Sequence, residues 1–276
     1  MTPRALGMGA AFVSSGSEAE TIATVERALE LGIDYLDTYA GPQEMRWGQA
    51  LAGVPRDSYY LQAKVGPHPD RRKDFSAEGT RWSVEGSLER MGVDYLDAVL
   101  VHDPMEIEDP LGPGRAFEEL QKMKEEGLLR HVGLGVRDHE FHQAAIEAGH
   151  VEIVLTFLDY TLLDQSVANT TMPLARKRGV GLILASVFGM GRLTGVEPDR
   201  EAEPRAHAMW LWCERNDVDI KHLAMQFCLD APVDGIVMSG PANRQQVEDA
   251  YTAATQELPA ALWSDFEVEF GVGIAT

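Results

Sequence analysis

Eight short apolar runs rich in β-branched and aromatic residues alternate with eight stretches of helical periodicity, and this alternation limits the possible folds most. Alternating strands and helices form βαβ units, because parallel neighbouring strands need a crossover connection. Eight such units in 276 residues fit a closed (β/α)8 TIM barrel better than an open doubly wound sheet. No composition shift or low-complexity linker divides the chain. We therefore predict one α/β barrel domain over residues 1–276.

We predict the strands and helices from the spacing of apolar residues along the chain and from the glycines that end several helices. Strands are expected at 6–12, 35–39, 59–65, 98–102, 131–136, 153–158, 181–186 and 235–239. Helices are expected at 17–31, 43–52, 77–91, 116–126, 141–148, 171–178, 217–230 and 244–255. Glycines at the ends of several helices suit left-handed caps: Gly32, Gly92, Gly127 and Gly179. The tail over 259–276 is expected to leave little material to close over a substrate.

Composition narrows the class of partner. The chain carries 24 Lys and Arg against 44 Asp and Glu, a net charge of −20 that disfavours binding to nucleic acid. No run approaches the ~18 apolar residues of a membrane span, and the first ten residues lack a signal-peptide pattern. Cys213 and Cys228 show no zinc-ligand spacing and suit a reducing compartment. We predict a cytoplasmic protein with no nucleic-acid or membrane partner.

Polar residues at the carboxyl ends of the strands are the candidates for chemistry, because TIM-barrel active sites lie there. Asp37 and Tyr39 end the second predicted strand, Lys64 the third and His102 the fourth. Residues two apart share a face of a strand, so Tyr39 is expected to point the same way as Asp37, and Gln62 the same way as Lys64.

These residues carry a resemblance to a known family. The chain resembles the aldo-keto reductases from about residue 5 to about residue 258. The matching segments include GIDYLDT (32–38), QAKVG (62–66), SLERMGVDYLD (87–97), VLVHDP (99–104), GLLRHVG (127–133), RLT (192–194) and VMSG (237–240). Two further segments, LGVRD (134–138) and YTLLDQ (160–165), resemble the branch that includes L-fucose and D-threo-aldose 1-dehydrogenases.

The resemblance implies a site in which an Asp, a Tyr, a Lys and a His surround the nicotinamide of an extended NAD(P)H. Hydride transfer changes the charge on the carbonyl oxygen, so a group must deliver or remove a proton. A phenol of pKa ~10 needs a nearby ammonium to do so at neutral pH, which suits Tyr39 beside Lys64, with Asp37 holding the lysine. His102 would donate to the substrate oxygen.

The segment after Asp37 departs from the family pattern. Family members read roughly Asp-Thr-Ala-x-x-Tyr-Gly-x-Ser-Glu, whereas this chain reads DTYAGPQE over 37–44, at least two residues shorter. Aligning Gly41 with the family glycine leaves Ala40 in the tyrosine position. Tyr39 is then a displaced substitute or has another role, and His102 could itself supply the proton.

The resemblance also implies the cofactor residues. These are the turn after the seventh strand (Ser186, Phe188, Gly189 and Gly191) and the start of the final helix (Ser239, Gly240, Asn243 and Arg244). A helix N-terminus favours phosphate, and Arg244 either pairs with the 2′-phosphate of NADP, favouring it over NAD, or is an exposed first-turn residue. Ala185 stands where many members carry an aromatic that stacks on nicotinamide.

Two further interpretations concern Arg137 and metals. Arg137 would hold a substrate carboxylate or hydroxyls, or pair with Asp138 or Asp159. No metal site is predicted, since His139 and His142 lack the i, i+4 spacing of an HExxH motif.

Three hypotheses for function remain open at this point. The first is an NAD(P)-dependent oxidoreductase in carbohydrate metabolism, acting on a sugar-like aldehyde, lactol or ketone. The second is a non-redox lyase, dehydratase or isomerase of a sugar derivative on the same barrel. The third is a catalytically silent barrel that serves as a partner subunit. The first is favoured; substrate identity, reaction direction and oligomeric state stay undetermined.

Overall fold

The strands form a closed parallel barrel. A computed structural model describes residues 6–13 and 16–274, and the parts of the predicted domain at 1–5, 14–15 and 275–276 lie outside the described residues. The strands, which pair in sequence order with the eighth closing on the first, are β1 (Leu6–Gly9), β2 (Tyr35–Asp37), β3 (Tyr60–Val65), β4 (Leu96–His102), β5 (Leu129–Gly135), β6 (Ile153–Phe157), β7 (Gly181–Ala185) and β8 (Gly235–Ser239). The predicted (β/α)8 architecture is confirmed.

The helices pack around this barrel. They are α1 (Glu18–Glu30), α2 (Glu44–Leu51), α3 (Ala77–Met91), α4 (Glu108–Leu111), α5 (Ala116–Glu125), α6 (His139–Ala148), α7 (Thr171–Arg178), α8 (Pro204–Arg215), α9 (Ile220–Leu229), α10 (Arg244–Thr255) and α11 (Ala260–Phe270). The predicted helices 77–91, 171–178 and 244–255 are confirmed to the residue.

Local signals at the helix ends act as expected. Ser17 caps α1 in a capping box with Glu20. The four glycines predicted to follow helices, Gly32, Gly92, Gly127 and Gly179, all have positive φ, between 67° and 83°. A side chain there would strain the backbone, so these glycines end the helices and turn the chain toward the next strand.

Three helices were not predicted, and the predicted start of α9 was wrong. No predicted helix covers α4, α8 or α11. Helix α9 was expected from residue 217, whereas Asp219 caps it by accepting a hydrogen bond from the Lys221 N–H. Trp263 and Phe266 of α11 are buried, and Phe266 lies edge-to-face on Trp212 of α8 with ring centroids 5.1 Å apart. Most of the tail therefore forms a helix that packs against α8.

The interior of the barrel is apolar on one side and polar on the other. Leu100, Leu155, Ile183 and Met238 form a cluster inside the barrel. On the side of β2 and β3, Gln62 is paired in register with Asp37. Polar side chains inside a barrel need partners, because an unpaired buried polar group is costly. This polar side of the barrel leads to the candidate site.

Candidate active site

The structure brings together the four residues predicted to carry the chemistry. Asp37 is the last residue of β2, Lys64 lies near the end of β3, and His102 is the last residue of β4. Tyr39 follows β2 by two residues. Because the three strands are neighbours in the barrel and run parallel, their carboxyl ends meet at one edge of its mouth.

Asp37 and Lys64 form a buried ion pair. The Lys64 side chain is fully buried; its Nζ donates to Asp37 Oδ1 and, over 3.0 Å, to the Thr38 carbonyl. Burial lowers the pKa of Lys64, and the attraction of Asp37 opposes that shift. The ammonium therefore occupies one fixed place under the mouth of the barrel.

A hydrogen-bond chain inside the barrel holds this pair from below. The Gln62 amide nitrogen donates to Asp37 Oδ1 over 2.6 Å, and the Tyr35 hydroxyl donates to Gln62 Oε1 over 2.8 Å. Both glutamine ends are thus occupied, which orients the Asp37 carboxylate toward Lys64. Gln62 was predicted to lie on the same face of the strand as Lys64, but it was not among the predicted site residues.

The shortened segment 37–44 is anchored at its far end by Glu44. This carboxylate is buried and accepts hydrogen bonds from the Gly41 N–H (3.3 Å), the Ser87 hydroxyl (3.0 Å) and Arg90 Nε (2.9 Å). Ala40, the residue aligned with the family tyrosine, is buried. The loop is therefore short and held at both ends.

Tyr39 lies in the site, with its ring between Lys64 and His102. The Lys64 ammonium sits over the Tyr39 ring, 3.9 Å from its centroid, and the His102 ring meets Tyr39 edge-to-face at 5.2 Å. Among the described residues, none hydrogen-bonds to the Tyr39 hydroxyl. Burial raises the pKa of Tyr39, and the charges of Asp37 and Asp103 raise it further. The shortened loop thus carries Tyr39 into the site, with its ring face rather than its hydroxyl against the ammonium.

His102 is largely buried and is flanked by Asp103 and Lys73. Its Nδ1 lies 3.2 Å from Asp103 Oδ2, and Lys73 Nζ donates to the Asp103 carbonyl. Burial lowers the pKa of His102 to about 3, with further contributions from the charges of Lys64 and Lys73. Lys73 and Asp103 were not among the predicted site residues; only the adjacency of Asp103 to His102 in the sequence could have pointed to Asp103.

The turn after β7 is sharply bent. Ser186, Gly189, Met190 and Gly191 all have positive φ, which for the non-glycine residues is a strained conformation of the kind found at functional sites. Phe188 is half-buried against the core, and Met190 is exposed. This turn places backbone groups at the mouth on the side away from β2.

Some backbone N–H groups in the first turn of α10 have no hydrogen-bond acceptor within the helix. Asn243 caps the helix, accepting from the Gln246 N–H over 3.0 Å, and the Ala242 N–H donates to the Gln246 side chain over 2.8 Å. The first-turn N–H groups of Arg244 and Gln245 have no acceptor within the helix. A phosphate at this end would find these donors and the positive end of the helix dipole. The first turn of α10 therefore offers backbone donors to an anion.

The remaining predicted cofactor residues lie beside this helix start. Ser239 is buried at the end of β8, and a Cβ on Gly240 would come within 3.2 Å of the Phe12 ring. Arg244 is more than half exposed, and its guanidinium nitrogens lie 3.9 Å from both Glu30 and Glu248. Phe12 therefore covers the point where the chain leaves β8 for α10.

Arg137 has a partner other than the two considered. Its guanidinium lies 3.2 Å from Asp164 Oδ2. Asp138 instead caps α6, and Asp159 pairs with His139. The alternatives of pairing with Asp138 or Asp159 were wrong, because both carboxylates are already engaged by nearer donors.

Within the described residues, metal-binding clusters and membrane-spanning helices are both absent. Over residues 6–13 and 16–274, no three His, Cys, Asp or Glu side chains are grouped to hold a metal ion. In the same part of the chain, every helix is too short or too polar to cross a membrane.

Comparison with known proteins agrees with this fold. The aldo/keto reductase family profile matches residues 5–267. The chain is 31% identical to D-threo-aldose 1-dehydrogenase of Pseudomonas sp, over 95% of this chain and 92% of that protein, and 30% identical to L-galactose dehydrogenase of Arabidopsis thaliana, over 91% and 84%. The holo form of the aldo-keto reductase AKR11C1 from Bacillus halodurans superposes with a TM-score of 0.81 at 24% identity, over 98% of this chain and 93% of that one. The chain therefore belongs to the aldo/keto reductase family, whose members use nicotinamide cofactors, and it is an oxidoreductase.

Proposed function

We propose that this enzyme is an NAD(P)-dependent oxidoreductase that acts on the carbonyl or hemiacetal carbon of a sugar-like aldehyde, lactol or ketone. The observation that carries the proposal is the meeting of the buried Asp37–Lys64 pair with Tyr39 and His102 at one edge of the mouth. The D-threo-aldose and L-galactose dehydrogenases similar to this chain support a carbohydrate substrate.

Each side chain of the site has a proposed role in hydride transfer. The bound nicotinamide would supply or accept the hydride. Tyr39 and His102 flank the place where the substrate oxygen would sit, and the Lys64 ammonium stabilises negative charge on that oxygen through a medium from which water is largely excluded. Asp37 holds Lys64, and Gln62 holds Asp37. Tyr39 as the acid or base stays a prediction of the sequence. Arg137, at the rim, would contact the polar end of the substrate in exchange for Asp164.

The dinucleotide would lie along the bent turn after β7 and the start of α10. Ser186, Phe188, Gly189 and Gly191 would contact the nicotinamide and pyrophosphate, and Ser239, Gly240, Asn243 and Arg244 the distal phosphate. We propose NADP as the preferred form, because Arg244 is exposed and reaches its acidic neighbours only at 3.9 Å. The proposed setting is the cytoplasm, with small carbohydrates as partners.

Titration of the purified protein with NADPH and NADH, followed by nucleotide fluorescence, tests the proposal. We expect micromolar binding and an absorbance change at 340 nm with a panel of aldoses. Arg244→Ala should weaken NADPH binding about tenfold, the effect of losing one charge-assisted contact, and leave NADH binding unchanged. Gln245→Ala, one residue along the same turn, is the control. Sugar conversion without any change at 340 nm would favour the non-redox lyase or isomerase instead.

A further inference from the structure

A chain of three side chains runs along the inside of the barrel from the start of β2 to its end. Gln62 of β3 is buried and is paired in register with Asp37. Its Nε2 donates to Asp37 Oδ1 over 2.6 Å, and its Oε1 accepts from the Tyr35 hydroxyl over 2.8 Å. Tyr35 and Asp37 are two residues apart and share a face of β2. The hydrogen bonds thus link Tyr35, at the end of β2 remote from the mouth, to the carboxylate at the mouth.

The orientation of the Gln62 amide matters because its two ends are chemically different. The Nε2 end donates to a carboxylate, whereas the Oε1 end would repel one. A half-turn of the amide would set its oxygen against Asp37. If the amide kept its orientation but lost its donor, Oε1 would be a buried acceptor without a partner, which is costly and would draw the amide out of position. The group that faces Oε1 therefore affects how well the amide holds Asp37.

Tyr35 supplies the donor that faces Oε1. Burial raises the pKa of Tyr35, and the charges of Asp37 and Asp97 raise it further. The hydroxyl therefore keeps its proton and stays a donor at neutral pH and well above it. Hydrogen bonds in series also polarise one another, so a donor at Oε1 strengthens the bond from Nε2 to the carboxylate.

The Tyr35 ring is held by its neighbours. It packs against the apolar cluster inside the barrel, and the Tyr60 ring stacks on it with centroids 6.3 Å apart and planes at 26°. A Cβ on Gly7 of β1 would lie 3.4 Å from a carbon of the Tyr35 ring, so the glycine leaves the room that the ring occupies. These contacts direct the hydroxyl at Gln62.

The carboxylate that the amide holds is the one that fixes the Lys64 ammonium. Asp37 Oδ1 accepts from both Lys64 Nζ and Gln62 Nε2. Two donors on one oxygen fix the direction of a carboxylate more closely than one donor does. Loss of the amide contact would let the carboxylate turn and carry the ammonium with it. A displacement of about 1 Å at a reacting site costs on the order of 100-fold in rate.

We propose that Tyr35 is a positioning residue that acts through Gln62 on the buried ion pair beneath the mouth. By holding the amide, its hydroxyl keeps the Asp37 carboxylate, and with it the paired ammonium, in the place that turnover needs. This inference rests on the proposed function and adds to it a residue one hydrogen bond beyond Gln62.

A double-mutant cycle on kcat tests whether Tyr35 acts through Gln62. Tyr35→Phe removes the hydroxyl and keeps the ring, and Gln62→Met replaces the amide by an apolar group of similar length. We expect kcat for aldose oxidation to fall about tenfold in Tyr35→Phe and about 100-fold in Gln62→Met, with KM changed less than about threefold. In the double variant kcat should equal that of Gln62→Met within about twofold, because the hydroxyl then has no amide to hold.

Tyr60→Phe is the matched control. Tyr60 is the register neighbour of Tyr35 on β3, its ring stacks on the same ring, and it is 53% exposed. The substitution removes a hydroxyl from the same wall of the barrel without removing a hydrogen bond to Gln62. We expect it to keep the wild-type kcat and KM.

NMR of the Gln62 side-chain amide, in protein labelled with nitrogen-15 and without nucleotide, gives a readout that does not depend on turnover. Its loss in Gln62→Met assigns the resonance. In the wild type and in Tyr60→Phe we expect the amide protons to be protected from hydrogen exchange, because the group is buried and donates to a carboxylate. In Tyr35→Phe their exchange should be at least about tenfold faster, since the amide has lost its second anchor.

The outcomes separate this inference from the proposed function. Wild-type kcat in Tyr35→Phe, a multiplied loss of about 1,000-fold in the double variant, or unchanged amide exchange in Tyr35→Phe would overturn the inference and leave hydride transfer intact. Faster exchange in Tyr35→Phe, without nucleotide-dependent oxidation of any aldose by the wild type, would overturn the proposed function and, with it, the positioning role. The expected kcat cycle and amide exchange together support both.

Discussion

Two clusters of polar side chains lie on the same rim of the barrel, and they differ in what they face. The mouth cluster lies on strands β2 to β4 and on the loop after β2, and its ion pair between Asp37 and Lys64 is buried. Its members are Tyr35, Gln62, Asp37, Lys64, Tyr39 and His102. The helix cluster (Thr156, Asp159, His139 and Thr170) lies at the end of β6 and at the starts of helices α6 and α7. Both contain carboxylate and imidazole groups, so residue type alone does not distinguish them.

The helix cluster contains a carboxylate, an imidazole and a hydroxyl in sequence, as some active sites do, but its hydrogen bonds connect parts of the fold. His139 lies between Asp159 Oδ2 at 2.8 Å and Thr170 Oγ1 at 2.9 Å. The Thr170 hydroxyl also reaches the carbonyls of Ser166 and Val167, at 3.2 and 3.4 Å, which fixes the chain just before α7. The cluster therefore ties α6 to α7, whereas the mouth cluster faces the mouth of the barrel, where we propose that substrate binds. Two networks with the same kinds of side chain thus differ in role because they face different parts of the molecule.

Lys64→Met should give the largest effect. Breaking a buried ion pair leaves Asp37 charged and unpaired, which we expect to lower the free energy of unfolding by about 3 to 5 kcal/mol. Turnover should fall by about 1,000-fold or more, since the proposed charge stabilisation is lost. The double variant Asp37→Asn/Lys64→Met should regain most of the stability and none of the turnover. Urea unfolding and steady-state kinetics on the three proteins measure both. An active Lys64→Met would remove the mouth cluster from the chemistry.

His142 should make stability depend on pH beside the helix cluster. It is fully buried, with Nδ1 2.8 Å from the Thr171 hydroxyl and Nε2 2.8 Å from the Val136 carbonyl. Burial lowers its pKa from 6.5 to about 4. The unfolded chain then binds the proton more readily, so the free energy of unfolding should fall by about 3 kcal/mol as pH drops from about 6.5 to 4.

His142→Asn isolates that contribution. The variant should be less stable at pH 7 but should lose less stability than the wild type between pH 6.5 and 4. Urea unfolding at a series of pH values gives the two slopes, and His150→Asn provides a comparison at a half-buried histidine. Parallel slopes for the wild type and His142→Asn would show that another group carries the pH dependence.

Asp159→Asn should give the smallest effect and sharpen the comparison most directly. The Asp159 carboxylate is buried, accepts from the Thr156 hydroxyl and pairs with His139. We expect a loss of about 2 kcal/mol in the free energy of unfolding, because a buried charge-assisted hydrogen bond is weakened. The kcat for aldose oxidation should stay within about twofold of wild type. A large loss of kcat with an unchanged unfolding curve would mean that the helix cluster also serves catalysis.

Local sequence pattern was enough to predict the barrel and the strand ends that carry charge. Strand and helix periods are local properties of the chain, and side chains two apart on a strand must share a face, so Asp37, Lys64 and His102 could be placed at one rim without coordinates. Helices α8 and α11 were not predicted because their aromatic residues pack mainly against each other. The apolar face of each helix is covered by the other helix, and the sequence does not show that pairing.

The contacts between side chains of different segments could not be predicted from local pattern. That Lys64 lies against the face of Tyr39, that Gln62 holds Asp37, that Lys73 holds Asp103 and that Arg137 pairs with Asp164 depend on closure of the barrel and on loop conformation. Side-chain contacts between segments tens of residues apart are set by distances of an ångström or two. Local sequence pattern fixes the faces on which such residues lie, but only packing of the whole chain fixes those distances.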